Sequence, residues 1–169
     1  KLNPAVMYVA KNCGIKKIIN VGGAQAIGSL AYIQKVDKII GPGNYFVAKA
    51  KRTVFGTVGT ESMIAGPSEV TIIADKKTKI DQIITSMAAQ SEHGINSQSI
   101  LVTNDKIVLN KVKNNLKFYI NKLARKKIIY YSLKKNGLLV LAKNKKQIIK
   151  IINLISPEHL EIITRDYKF

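Results

Sequence analysis

One pattern constrains this chain more than any other: a short β-branched run, a glycine turn and a helical pattern follow one another repeatedly. Ile15 to Val21 (IKKIINV) reads as a strand, Gly22-Gly23 as the turn and Ala24 to Tyr32 as a helix rich in small residues. Val36 to Ile40 repeats the strand and Gly41-Pro42-Gly43 the turn, with Asn44 placed to cap a helix from Tyr45 to about Val54. Consecutive βα units of this length imply a parallel sheet with helices packed on its faces.

The rhythm continues through the second half. A strand is expected near Ser62 to Ile64, then the turn Ala65-Gly66-Pro67-Ser68 and a strand from Val70 to Ala74. A helix starting at Thr78, whose hydroxyl is placed to cap it, carries an apolar stripe at Ile80, Ile83, Ile84, Met87 and Ala88 and ends by Gly94. Ser99 to Thr103 is the next strand, and Val108, Leu109, Val112, Leu116, Tyr119, Ile120 and Leu123 line the inner face of one long helix. Leu138 to Ala142, a helix from Lys145 to Leu154, and a strand from His159 to Ile163 complete the pattern. The fold class is therefore α/β: two Rossmann-like parallel-sheet units with helices on both faces, each incomplete. The first spans residues 1–68, and the second, 69–169, carries most of the titratable chemistry.

A formal charge of +18 invites a nucleic-acid reading. Its details argue against one, because arginine stands only at 52, 125 and 165, and its bidentate fork is what phosphate and base recognition favour. Between Lys106 and Lys150 the lysines alternate with Ile, Asn and Leu at helical spacing, as on solvated helix faces. Lysines also interrupt every apolar run before the roughly 20 residues of a membrane-spanning helix. The single cysteine, Cys13, cannot form an internal disulfide, which fits a reducing, cytoplasmic setting. Both ends read as cut: Lys1 to Met7 begins without a cap, and Ile162 to Phe169 stops just after an apolar run.

Two histidines are present, each directly after a glutamate, in Glu92-His93 and Glu158-His159. Imidazole is the commonest metal ligand and the natural base near neutral pH, although a histidine after a helix is more often a capping or surface group. Gln90 and His93, spaced i and i+3 on a last helical turn, project from one face and offer an oxygen and a nitrogen to one cation. Two ligands do not close a coordination shell. The turns at Gly22 and Gly41 each lead from a strand into a helix, where free amides suit phosphates, but neither matches G-x-G-x-x-G. If both follow strands, they share the sheet's carboxyl edge.

The words Gly22-Gly23-Ala24-Gln25-Ala26-Ile27, Val36-Asp37-Lys38-Ile39-Ile40-Gly41-Pro42-Gly43-Asn44, Ala65-Gly66-Pro67-Ser68-Glu69-Val70, Gln90-Ser91-Glu92-His93-Gly94 and Pro157-Glu158-His159-Leu160 resemble the ordered signatures of histidinol dehydrogenase. That family oxidises L-histidinol through an aldehyde to L-histidine in two NAD-linked steps, the end of histidine biosynthesis. The resemblance implies that Gln25 and Asn44 contact NAD and that Ser68 binds substrate. It implies that Gln90 and His93 ligate zinc and through it the substrate, that His159 takes protons and also contacts substrate, and that Glu158 activates the water of the second step. It further implies a homodimer in the full-length protein. Family chains are more than twice this length, their remaining zinc ligands lie outside the matched region, the loop between Leu30 and Val36 is shorter here, and Ser62 stands where an acid is common. An internal fragment, inactive by itself, is the expectation. A truncated non-catalytic remnant and a basic nucleic-acid-binding α/β domain are the other readings.

Overall fold

The computed structural model describes residues 2–61 and 69–164. The chain divides into two units, Lys1–Gly66 and Pro67–Phe169.

In the first unit, helix α1 (Pro4–Asn12) opens with Pro4 at its first position, where a missing N–H costs nothing. The Asn3 side chain accepts from the Ala5 amide at 2.9 Å, so this segment does carry a cap, contrary to the sequence reading. Helix α2 (Gly23–Gly28) runs into a π-helical turn, Ser29–Ile33, and the expected helix thus forms but changes its hydrogen-bond spacing midway. Strand β1 (Lys38–Ile39) lies parallel to β2 (Gly59–Thr60), with Lys38 opposite Gly59. Between them runs α3 (Tyr45–Thr53), capped by Asn44 as expected. Ile27, Ala31, Ile39, Val54 and Val58 form the core of this unit.

The run Ile15 to Val21 forms no strand. Its β-branched residues suit a pleated surface, but a strand exists only where a neighbour takes its amides, and none does among the described residues. Ile15, Ile18, Ile19 and Val21 are accordingly exposed. The strand expected near Ser62 lies outside the described residues. β2, just upstream of it, was not anticipated, because Gly59-Thr60 offers no apolar run to read.

The second unit is a four-stranded parallel sheet of β3 (Glu69–Ala74), β4 (Gln98–Thr103), β5 (Gly137–Leu141) and β6 (Leu160–Ile163), in the order β5-β4-β3-β6. Ile72 pairs with Leu101 on one side and Glu161 on the other. Alternation decides the two faces. Val70, Ile72, Ala74 and Leu101 pack against α4 (Ile80–Ser91) and α5 (Lys106–Ile120). Ile73, Ile100 and Val102 pack against Ile148 and Ile152 of α7 (Lys145–Ile155). The cause is topological: the crossovers from β3 to β4 and β4 to β5 step one way, whereas α7 carries the chain back past β3. Right-handed connections in opposite directions put helices on opposite faces, so both faces are covered as expected.

Two readings are corrected here. The long helix ends at Ile120, and a separate helix, α6 (Lys126–Asn136), follows; its Ile129 joins Ala88 and Ile120 in a small core of its own. Thr78 does not cap α4, whose preceding residue Lys79 makes no side-chain cap. The Thr78 hydroxyl instead bonds the Ile163 carbonyl and accepts the Asp75 amide, tying the carboxyl end of β3 to that of β6.

Candidate functional site

Because β3 and β6 run parallel and α4 returns antiparallel to β3, the last turn of α4 comes back to the sheet edge where the strands begin. That edge collects Glu69 at the head of β3, Gln90 and His93 at the end of α4, and Glu158 and His159 just before β6. Ser68 precedes Glu69 but lies outside the described residues. In most open α/β sheets ligands bind at the carboxyl edge. Here that edge is stitched between β3 and β6 by Asp75, whose carboxylate takes the Thr164 hydroxyl and the Lys77 amide, and by Thr78. All the nominated residues of this unit that are described sit at the opposite edge.

Helix α7 delivers the Glu158-His159 pair. It ends at Ser156 in the left-handed region (φ 48°), which with Pro157 turns the chain toward β6. The Glu158 amide donates to Glu69 Oε1 at 3.0 Å, and the His159 carbonyl accepts from the Thr71 amide at 2.9 Å. His159 Nδ1 lies 3.2 Å from the Glu69 carbonyl oxygen. A carbonyl can only accept, so Nδ1 is the donor of that bond, and Nε2 stays outside it. Both side chains are exposed.

Gln90 and His93 are held from two sides. Ser91 and Ser99 are buried, their hydroxyls 2.9 Å apart, and Ser99 donates to the Met87 carbonyl, fixing the last turn of α4 to β4. The loop after His93 is gripped by α6: Ser132 donates to the Ser97 carbonyl at 2.8 Å and Asn136 to the Ile95 and Ser97 carbonyls at 3.1 Å. The sequence reading missed this helix; the polar Ser132 and Asn136 within an apolar helical pattern were its signal. Gln90 Nε2 is buried with no hydrogen-bond partner, an N–H donor that an acceptor atom would satisfy, whereas a cation would take the amide oxygen. An amide and an imidazole are neutral O/N donors compatible with zinc, and among the described residues no group of three or more His, Cys, Asp or Glu stands ready to hold a metal.

In the first unit, Asn44 Oδ1 is occupied by the Phe46 and Val47 amides at 3.1 Å, which leaves the exposed side chain's amide nitrogen to donate outward. Gly43 is needed here: a Cβ would lie 2.2 Å from Val47 Cγ1. Gly23, with φ +66°, opens α2 in a conformation that side chains avoid, and Gln25 stands exposed beyond it. This turn does not follow a strand, so only the Gly41 turn takes the expected place at a strand's carboxyl end.

Lys51 is buried, 4% exposed, and its ammonium bonds the Gly41 carbonyl and the Glu61 carboxylate. Helical side chains lean toward the N-terminus, which lets Lys51 reach back to the turn before its own helix. The hydrogen bond from Lys51 holds the Glu61 carboxyl below its usual range. A cleft of about 770 Å³ opens at the amino ends of β1 and β2, lined by Tyr32, Asp37 and Phe55 among others, and none of the nominated residues lines it.

Comparison with known proteins agrees across sequence and structure. The family model described as histidinol dehydrogenase matches residues 1–169. The histidinol dehydrogenase of Pelagibacter ubique is 48% identical over 172 residues, covering 99% of this chain and 40% of the relative. That of Hydrogenovibrio crunogenus is 43% identical over 166 residues, covering 96% of this chain and 38% of its own length. The crystal structure of histidinol dehydrogenase from Elizabethkingia anophelis superposes with a TM-score of 0.89 at 36% identity, covering 99% of this chain and 40% of that one. The chain thus spans about 40% of the length of these relatives.

Proposed function

The chain belongs to the histidinol dehydrogenase family, and we propose that it serves the NAD-dependent, two-step oxidation of L-histidinol to L-histidine as part of an enzyme of full family length. The observation that carries this reading is the contact of His159 Nδ1 with the Glu69 carbonyl oxygen at 3.2 Å, which orients the exposed ring and leaves Nε2 outside that bond, in the residue directly after Glu158. In the first step His159 Nε2 takes the hydroxyl proton as the carbinol carbon gives up hydride. In the second, the Glu158 carboxylate takes a proton from the water that adds to the aldehyde, and hydride leaves again. Bound NAD supplies the hydride acceptor, and bound zinc an anchor for the substrate's nitrogens.

Gln90 and His93 are the residues here suited to that zinc, offering an amide oxygen and an imidazole nitrogen from the end of one helix. Gln25 and Asn44 are assigned to NAD binding, and Ser68 and His159 to the substrate. With two zinc ligands, the 169-residue chain by itself does not turn over histidinol. The whole enzyme is a cytoplasmic homodimer; among the described residues no helix is long and apolar enough to cross a membrane.

The test uses an enzyme of full family length carrying this sequence, made by substituting it for the matching segment of the Pelagibacter ubique relative. His159→Asn abolishes oxidation while zinc content is kept, and His93→Ala loses the metal. Normal turnover by His159→Asn rejects the assignment of the base.

A further inference from the structure

Glu69 has no part in the chemistry just described, yet it touches both residues that do the proton transfers. Its carboxylate accepts the Glu158 amide at 3.0 Å, and its own carbonyl accepts His159 Nδ1 at 3.2 Å. Glu69 opens β3, one of the two inner strands of the sheet, and the next residues Val70 to Ala74 are all buried. The pair it holds comes from the opposite situation: an exposed turn between α7 and β6, entered through a left-handed serine. Glu69 thus ties an exposed turn to a buried strand through two bonds, beside the one from the Thr71 amide to the His159 carbonyl.

From this geometry we infer that Glu69 is a positioning residue for the acid/base pair, fixing the Glu158-His159 backbone through its carboxylate so that the imidazole Nδ1 meets the Glu69 carbonyl. The inference rests on the role proposed above for His159 and Glu158. The bond from the Glu158 amide is solvent-exposed, so water replaces it at little cost to folding when the carboxylate is removed. What is lost is orientation, and misplacement of a reacting group by an ångström costs as much as a hundredfold in rate. The requirement is for an acceptor oxygen rather than a charge, because the partner is a neutral amide.

In the enzyme of full family length, Glu69→Ala lowers kcat for both histidinol and the aldehyde by about tenfold or more, with KM for NAD, zinc content and Tm unchanged. Glu69→Gln, which keeps an acceptor oxygen in place, restores kcat to near that of the parent. A kcat left intact by Glu69→Ala in an enzyme that His159→Asn inactivates overturns the inference while sparing the base assignment. So does a Glu69→Gln variant as slow as Glu69→Ala, or a rate loss that simply tracks a lower Tm. If His159→Asn is itself fully active, the acid/base reading falls and this inference with it.

Discussion

Removing the Ser99 hydroxyl tests whether the last turn of α4 is held by a satisfied polar pair. Ser99 Oγ donates its only proton to the Met87 carbonyl at 3.0 Å, so at its 2.9 Å contact with Ser91 it must accept. Both residues are buried, Ser91 at 0% and Ser99 at 1% exposure. In Ser99→Ala the Ser91 hydroxyl stays buried without an acceptor, which costs about 1–3 kcal/mol. Ser91→Ala removes a donor but leaves Ser99 bonded to Met87, costing about 0.5–1.5 kcal/mol. In the double variant no hydroxyl is stranded, so its cost falls short of the sum by about 1 kcal/mol. Urea unfolding followed by circular dichroism measures all three, with equal slopes required for the comparison. Strict additivity, or a Ser99→Ala cost no larger than that of Ser91→Ala, refutes the assignment of donor and acceptor.

Two further perturbations bear on the turns after β3 and after β1. Burial pushes the Asp75 carboxyl up, but hydrogen bonds from Thr164, the Lys77 amide and Thr78 outweigh it, and the group ends below its ordinary value of 3.8. A carboxyl depressed in the folded state stabilises fully above the unfolded value and loses this as pH falls through the folded one; the stability advantage over Asp75→Asn therefore shrinks below about pH 4, read by denaturation at a series of pH values. Gly43→Ala forces a Cβ against the branched base of Val47, 2.4 Å from its Cβ, so the turn before Asn44 must shift, at about 1–3 kcal/mol. A lower Tm together with a raised KM for NAD in the full-length enzyme is the expected result.

The sequence revealed whatever depends on local chemistry. The stripe of α4 was legible because its buried residues, Ile83, Ile84, Met87, Ala88 and Ser91, fall at the helical period on a segment long enough to count. The cap at Asn44 was legible because the side chain needs only the next three residues. The failures share a cause as well. Ile15 to Val21 has the composition of a strand and is none among the described residues, since pairing is supplied from elsewhere or not at all. Thr78 stands where a cap belongs, but β6, 85 residues on, claims its hydroxyl. The five ordered motifs led to the family that the comparisons identify, and the assignment of roles to Gln90, His93, Glu158 and His159 came with it.

By itself, then, the amino-acid order determined the βα rhythm and the two-faced burial of the second sheet. These follow from side-chain size and polarity at fixed periods of 2 and 3.6. Only the tertiary structure decided which edge of the sheet Gln90, His93, Glu158 and His159 occupy, which backbone carbonyl His159 Nδ1 meets, and that Glu69, α6 and the Ser91-Ser99 pair hold them. Each of those depends on contacts between residues eight to ninety positions apart, and no local pattern encodes which groups so distant will share one side of a sheet.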